Sequence, residues 1–447
     1  MVQTQSQEKI LIIGAGIFGV STAYHLAQRT SNPTTITLLD RARPSTLETA
    51  AGASSDINKI IRADYSSPMY MELGFEAIEA WKTLPFFKST SQGEEEEEVG
   101  NVYHQSGWIA MDEKGSDVPI RIRENFRKGG YDGVIVDMDQ NEVKSAWDGI
   151  LAKTDYTPFG SYYYNQSAGW ADAGRALGIM LNEAISMGVR YKVGEAKRVV
   201  YEDGRGGVAV ETEDGNILRA DKVLLATGAW TSKVMAELED ELDIQEIDRV
   251  ENQVFAAGVC VAHFQLTEEE REVYGKMPVF VYGGQGEVIP PTSSGILKFT
   301  STTSFKNTVR TATGHEISVP VDDQLNAPQK LQADSIAAVR ARLPQLLDGD
   351  RKPDYYRLCW DSISASQHPL ISRHPDPRLG ASLYFAVGGS FHFYKFLPTI
   401  GKYVVNVLEG VGNGEGKDQA WSWKSTGEVE RGVHESLIPK REYRDFL

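Results

Sequence analysis

Cysteine is nearly absent: only Cys260 and Cys359 occur in 447 residues, so no disulfide framework holds this chain together. Long apolar runs are also missing. None approaches the roughly 20 residues that a membrane helix needs, which argues against a spanning segment. The start MVQTQSQEK has no apolar stretch of the secretory type. Positive charge is in deficit, 46 Lys and Arg against 62 Asp and Glu, for a net charge of −16. Such a surface repels phosphate backbones and excludes nucleic acid as an expected partner, although a small anionic ligand in its own pocket stays open. The C-terminal Asp445-Phe446-Leu447 is not the usual peroxisomal address. The expectation is a soluble cytoplasmic protein, with the peroxisome left open, that is a monomer or weak homo-oligomer.

At 447 residues the chain exceeds the size at which one core stops growing, about 250–300 residues, so two domains are expected. The 42 glycines imply many tight turns. Lys9 to Ile13 reads as a buried strand, Ile17 to Gln28 as a helix and Thr35 to Leu39 as a second strand, which makes one βαβ unit. Further on, Met69 to Leu84 reads as helix and Val102 to Met111 as strand. Glu94 to Glu98 is an acidic run that reads as a solvated loop. A helix follows from Asp172 to Met187, capped at Gly188. Strands are predicted at 190–193, 208–212, 222–226 and 383–387, and helices at 337–343 and 400–408. The tail after Glu409 is polar and reads as surface. Between 250 and 330, strands at 254–264, 279–282 and 296–300 suggest an antiparallel sheet. The fold class is therefore α/β (α+β overall): a Rossmann-type nucleotide domain from 1–85, 160–240 and 350–447, and a second domain of mixed, mainly antiparallel sheet from 86–159 and 241–349.

Gly14-Ala15-Gly16-Ile17-Phe18-Gly19 is a G-x-G-x-x-G directly after a strand and opening a helix. Gly14 permits the turn, Gly16 lets backbone approach a diphosphate, and Gly19 lets helix and strand pack closely. N–H groups at the helix start, around Ile17 and Phe18, receive the phosphates. Asp40 ends the second strand and suits ribose hydroxyls, which disfavours a 2′-phosphate. The fingerprint alone does not separate FAD from NAD. Its N-terminal place, and a later strand ending in Ala226-Thr227-Gly228 where backbone can approach the dinucleotide again, favour FAD.

On ILIIGAGIFGVSTAYHLA near the start, SSDINKIIR at 54–62, KVLLATGAW at 222–230, AHFQLTEEE at 262–270, RLCW at 357–360 and GGSFHFYKFLPTIGK at 388–402, the chain resembles the sarcosine oxidase and fructosyl-amino-acid oxidase (amadoriase) family of flavin amine oxidases. The resemblance spans nearly the whole chain. It implies an FAD domain roofed by a smaller mixed sheet, oxidation of secondary amines of amino-acid derivatives, and reoxidation by molecular oxygen to give hydrogen peroxide. Cys359 matches the cysteine that forms a thioether to the flavin 8α-methyl, and Cys260 has no such match. Lys298 matches the lysine set near flavin N5 for oxygen activation. Lys395 matches a lysine serving the substrate carboxylate or the flavin edge. Lys59 matches a basic position near the flavin, and Arg62 one that holds the substrate carboxylate, which a guanidinium binds with two parallel hydrogen bonds. Asn58 resembles a cofactor contact. Arg41, Ser54, Gly389, Phe391, Phe393 and Tyr394 complete the expected cofactor shell; no metal is called for.

The substrate signals conflict. Asp56-Ile57-Asn58-Lys59 and AHFQLTEEE look like the amadoriase branch, whereas Arg62 looks like the sarcosine or pipecolate branch. The amadoriase C-W-C-A-D-T stretch is here Cys359-Trp360-Asp361-Ser362-Ile363-Ser364, and its C-terminal WRWR is here Trp421-Ser422-Trp423-Lys424. The bulky Phe393 and Tyr394 depart from the family pattern. The expected reaction is oxidation of the secondary amine of an N-substituted or cyclic amino acid, with an amadoriase or a catalytically silent flavin-binding module as alternatives.

Overall fold

The computed structural model of the chain describes residues 8–88, 101–205, 207–424 and 438–447. The acidic run Glu94 to Glu98 lies outside the described residues. The βαβ unit forms as its apolar pattern dictates: strand Ile10–Ile13, helix Ile17–Arg29 and strand Ile36–Asp40. These strands join a six-stranded sheet in the order Leu370–Arg373, Leu383–Val387, Lys222–Leu225, Ile10–Ile13, Ile36–Asp40, Arg190–Val193. All its pairings are parallel except the edge pair of Leu370–Arg373 with Leu383–Val387. Its middle strands are apolar on both faces because helices cover one and a three-stranded sheet (Ala196–Glu202, Gly207–Thr212, Ile217–Arg219) with helix Thr231–Glu241 covers the other, which is why they read as unbroken apolar runs.

The second sheet has eight strands, ordered Tyr355–Ile363, Phe255–Gln265, Ile296–Phe305, Glu287–Ile289, Val279–Val281, Trp108–Glu113, Phe159–Asn165, Ile135–Met138. It is antiparallel apart from the pairing of Val279–Val281 with Trp108–Glu113. Two segments that the sequence reading groups with the nucleotide domain, 160–165 of strand Phe159–Asn165 and Tyr355–Ile363, hydrogen-bond within this sheet. The chain therefore crosses between the sheets more often than hydropathy alone suggests. The strand predicted from 102 to 111 is also divided. Tyr103–His104 pairs in a small three-stranded sheet, and Trp108–Glu113 belongs to the eight-stranded one. The break is at Gly107, which has φ +79° and no Cβ, where the Tyr164 hydroxyl oxygen would lie 2.2 Å from one.

The tail after Glu409 is not simply surface. Helix Glu415–Trp421 buries Trp421, whose Nε1 donates to the Tyr70 hydroxyl at 3.2 Å. Phe446 packs against Phe305 with ring centroids 5.5 Å apart. Aromatic burial overrides the polar composition here. No helix among the described residues is long and apolar enough to cross a membrane.

Two contacts set the framework of the cavity described below. Helix Ile400–Leu408 crosses helix Ile17–Arg29 at Gly401, where a Cβ would fall 2.1 Å from the Ser21 carbonyl oxygen. The Gly401 N–H also donates to Ser21 Oγ at 2.8 Å. Beyond strand Leu383–Val387 the chain folds sharply, with Ser390 at φ +48° and Phe391 at φ +61°. Left-handed backbone at a non-glycine residue costs about 1–3 kcal/mol and persists only when neighbours hold it. Asp361, on the edge strand of the other sheet, does so: its Oδ2 accepts from the Phe391 N–H at 2.7 Å and its Oδ1 from the Ser362 N–H at 2.8 Å.

Gly401→Ala should force the two helices apart and lower stability by about 1–3 kcal/mol in denaturant unfolding. Asp361→Ala removes both acceptors from buried N–H groups and should cost roughly 1–3 kcal/mol, read as a lower melting temperature.

Candidate functional site

The first loop and helix create the phosphate end of the site. Gly14 has φ +102°, and a Cβ there would lie 2.4 Å from the Ala226 carbonyl oxygen, so the turn needs glycine. Gly16 is the N-cap of helix Ile17–Arg29 and brings no side chain of its own to cap it. Ser54 Oγ accepts from the Ile17 N–H at 3.1 Å, which pins the loop from above. Asp40 bridges the turn, its Oδ2 accepting from the Ala15 N–H at 2.7 Å and its Oδ1 from the Ala42 N–H at 2.8 Å.

One continuous cavity runs from this turn to the eight-stranded sheet. Along it lie Gly14, Gly16, Ile17, Phe18 and Asp40, then Ala226 and Gly228. Arg41 joins them, with its guanidinium 4.3 Å above the Trp230 ring and 3.6 Å from the Glu195 carboxylate. At the far end Ser54, Lys59, Arg62 and Cys359 meet Gly389, Phe391, Phe393, Tyr394 and Lys395. Cys359 is buried in a small apolar patch with Val259, Val261, Ala53 and Phe391. A glycine turn with close backbone approach at one end and an apolar patch beside a thiol at the other fit a flavin dinucleotide.

Three of the residues expected in the site stand behind the wall instead. Gly19 serves packing: a Cβ there would meet the Gly14 carbonyl oxygen at 1.8 Å. Asn58 is fully buried and its Nδ2 donates to the Pro290 carbonyl at 2.9 Å, tying its segment to the roof. Lys298 is buried in strand Ile296–Phe305, where Nζ donates to Asp56 Oδ2 at 2.7 Å and to the Asn58 carbonyl at 2.6 Å. Gly19 misses the cavity surface because its backbone is packed against the turn, and Asn58 and Lys298 because their side chains are consumed by these contacts.

Asp56 is the hub of the site's charge. Besides Lys298, its carboxylate meets Lys59 Nζ at 2.9 Å and Arg357 Nη1 at 4.0 Å. Burial alone would raise its carboxyl, but these cations hold it well below the usual carboxylate range. Arg357 also donates to the Ser55 and Gly52 carbonyls at 2.6 and 3.0 Å, clamping the loop that carries Ser54. Arg62 is buried between two rings, its guanidinium 4.6 Å from the Tyr65 centroid and 4.8 Å from that of Trp108. Its Nη1 donates to the Asp64 carbonyl, so the plane of the fork is fixed.

Sequence reasoning missed Arg357, Asp361, Tyr65 and the clamping use of Asp56. A signal existed for the first two. Residues two apart on a strand share a face, so Arg357 and Asp361 stand on the side of Cys359. Tyr65 had no signal, because its importance comes from side chains more than 300 residues away in sequence.

Comparison with known proteins agrees with this geometry. The family described as FAD dependent oxidoreductase matches residues 9–407. L-saccharopine oxidase of Schizosaccharomyces pombe is 28% identical, with 93% of each chain covered. Monomeric sarcosine oxidase of a Bacillus species is 21% identical over 88% of this chain and 90% of its own. Among solved structures, the fructosamine oxidase amadoriase II of Aspergillus fumigatus superposes with a TM-score of 0.77 at 26% identity, covering 96% of this chain and 92% of that one. The chain belongs to the FAD dependent oxidoreductase family and is an FAD-dependent oxidase.

Proposed function

We propose that the enzyme oxidises the secondary amine of an N-substituted or cyclic amino acid, of the sarcosine, pipecolate or saccharopine kind, giving an imine and hydrogen peroxide. The observation that carries this reading is Arg62: a buried guanidinium on the cavity wall, fixed between aromatic rings. A planar cation held in one orientation and shielded from water binds a carboxylate with direction as well as charge. Lys59 adds positive charge at the same end; burial opposes its charge, but Asp56 raises it above the ordinary lysine value. The relatives named for saccharopine and for sarcosine oxidation act on secondary amines that bear a carboxylate.

In this reading the glycine turn at Gly14 and Gly16 and the Phe18 N–H would hold the diphosphate of FAD, with Ile17 kept in place beside it by Ser54, and Asp40 would hold its ribose. Ala226 and Gly228 approach from the next strand, Arg41 sits at the nucleotide end, and Phe391 and Phe393 flank the ring system. When bound, FAD accepts the hydride equivalent from the carbon beside the nitrogen and passes the electrons to oxygen. The chain's part is to orient the amine, exclude water and place charge. Lys298 supplies a buried cation just behind the wall, stabilising negative charge that develops on oxygen. Cys359 is the residue that would carry a thioether to the flavin. The division into a nucleotide part and a substrate part belongs to the same proposal, with 159–165 and 355–363 counted in the roof.

A second reading, a fructosyl-amino-acid oxidase, has the Asp56-Ile57-Asn58-Lys59 segment and the likeness to amadoriase II in its favour. It asks the same pocket to take a sugar on the amine.

Anaerobic mixing with N-methyl, cyclic and saccharopine-type amino acids should bleach the yellow flavin, and admitting air should restore it with peroxide formed. Bleaching by glycated amino acids alone would select the second reading, and no bleaching by any amine would remove both. After acid precipitation the colour should stay with the protein pellet and move to the supernatant in Cys359→Ala; free flavin from the unaltered enzyme would exclude the thioether.

A further inference from the structure

Glu287 puts a carboxylate on the roof of the cavity. It opens strand Glu287–Ile289, along which side chains alternate between the two faces of the sheet. Val288 points to the far face, where it packs in one apolar cluster with Phe280 and Phe299. Glu287 therefore points to the near face, together with Val281 and Thr300, its register partners on the flanking strands. All three line the cavity. Among the described residues no group donates a hydrogen bond to the Glu287 carboxylate and no cation pairs with it.

The charged side chains that face it are Lys59, Lys298 and Lys395. Each has closer partners. Lys59 and Lys298 meet Asp56 at 2.9 and 2.7 Å, and Lys395 donates to the Tyr65 hydroxyl at 2.8 Å and to the His392 carbonyl. The protein thus leaves an acceptor on the roof for a group that enters from outside. Its place says which group. Glu287 lies two strands across the roof from Trp108, the ring beside the Arg62 guanidinium, and two residues farther along. Two strand spacings are roughly 10 Å. In an amino acid the carboxylate carbon and the nitrogen are only two bonds apart, about 2.5 Å. With the carboxylate on Arg62, whatever reaches Glu287 stands several bonds beyond the reacting nitrogen. The chemistry agrees. A carboxylate set against the reacting nitrogen would hold it as an ammonium, which has no lone pair to assist loss of hydride.

We propose that Glu287 is a specificity-determining residue, selecting amino-acid substrates whose nitrogen substituent carries a second ammonium group several bonds from the oxidised amine. This rests on the amine oxidase reading and on Arg62 as holder of the carboxylate. The substrate lies under the roof with each end against an opposite charge, which fixes its direction and leaves the reacting carbon and nitrogen between them. A charge-assisted hydrogen bond at Glu287 favours the cationic substituent, and repulsion rejects one that ends in a carboxylate.

The test uses the holoenzyme and substrates that differ in one terminal group. N-(4-aminobutyl)glycine should reduce the flavin with a kcat/KM about tenfold or more above that of its uncharged isostere, N-pentylglycine. In Glu287→Gln that ratio should fall to about one, whatever the absolute rates. A ratio that the substitution leaves unaltered would make Glu287 a counterweight to the nearby lysines and overturn the proposal. Calorimetry gives a readout that needs no oxidation. In 7-aminoheptanoate and octanoate a carbon replaces the reacting nitrogen. Glu287→Gln should weaken the first by about tenfold more than the second. Equal changes would overturn the proposal. Should Glu287→Gln not fold, Glu287→Asp decides in its place. It keeps the charge but draws it back by one methylene, so the preference should move to N-(5-aminopentyl)glycine, and an unmoved preference would overturn the proposal. If no amine bleaches the flavin, the oxidase reading fails, while the two calorimetric affinities still report whether Glu287 meets a distal ammonium.

Discussion

The buried carboxylate of Asp56 is the tie on which the site depends. It lies in the segment between the nucleotide strands and the roof, and it gathers Lys298 from one roof strand, Arg357 from another and Lys59 from three residues along its own segment. A lone charge in such surroundings would be expensive, and breaking a buried pair typically costs about 3–5 kcal/mol because the partner is left uncompensated. The network therefore behaves as one unit. By fixing residues 54–62 against the roof, it sets where Ser54 meets the phosphate turn and where Arg62 enters the cavity. Arg357 strengthens the same tie through the Ser55 and Gly52 carbonyls.

The opposite wall is held by a different device. The turn after strand Leu383–Val387 takes two successive non-glycine residues into left-handed backbone, and Asp361 stabilises it from across the sheets. That turn aims Phe391, Phe393 and Lys395 inward together. Where the amadoriase pattern has a second cysteine two residues after the first, this chain has an aspartate. Its use as a backbone clamp gives that departure a physical meaning without deciding the substrate.

Much of this was legible in the sequence where the cause is local. The strand–turn–helix of residues 10–29 follows from an apolar run and three glycines, and Asp40 from its place at a strand end. The parallel sheet was readable because strands covered on both faces are apolar throughout. Features fixed by distant partners were not. Phe159–Asn165, with its run of tyrosines, gives no clean alternation, and its place in the roof comes from pairing with Trp108–Glu113. The break at Gly107 depends on the Tyr164 ring. Lys298 reads as a site lysine by resemblance, yet its ammonium is spent on Asp56 and the Asn58 carbonyl, which only the packed roof brings within reach. Trp421 and Phe446 dock through aromatic partners that a polar average conceals.

The cavity draws its walls from separated stretches near 14–18, 40–62, 226–230, 359–361 and 388–395. This spacing has a consequence for biogenesis. As the ribosome delivers the chain, the diphosphate turn emerges well before the residues near 359–361 and 388–395 that enclose the other end. A nascent chain can thus offer no more than a weak nucleotide foothold. Firm loading must await these later stretches, so the nucleotide is enclosed only once they have folded around it.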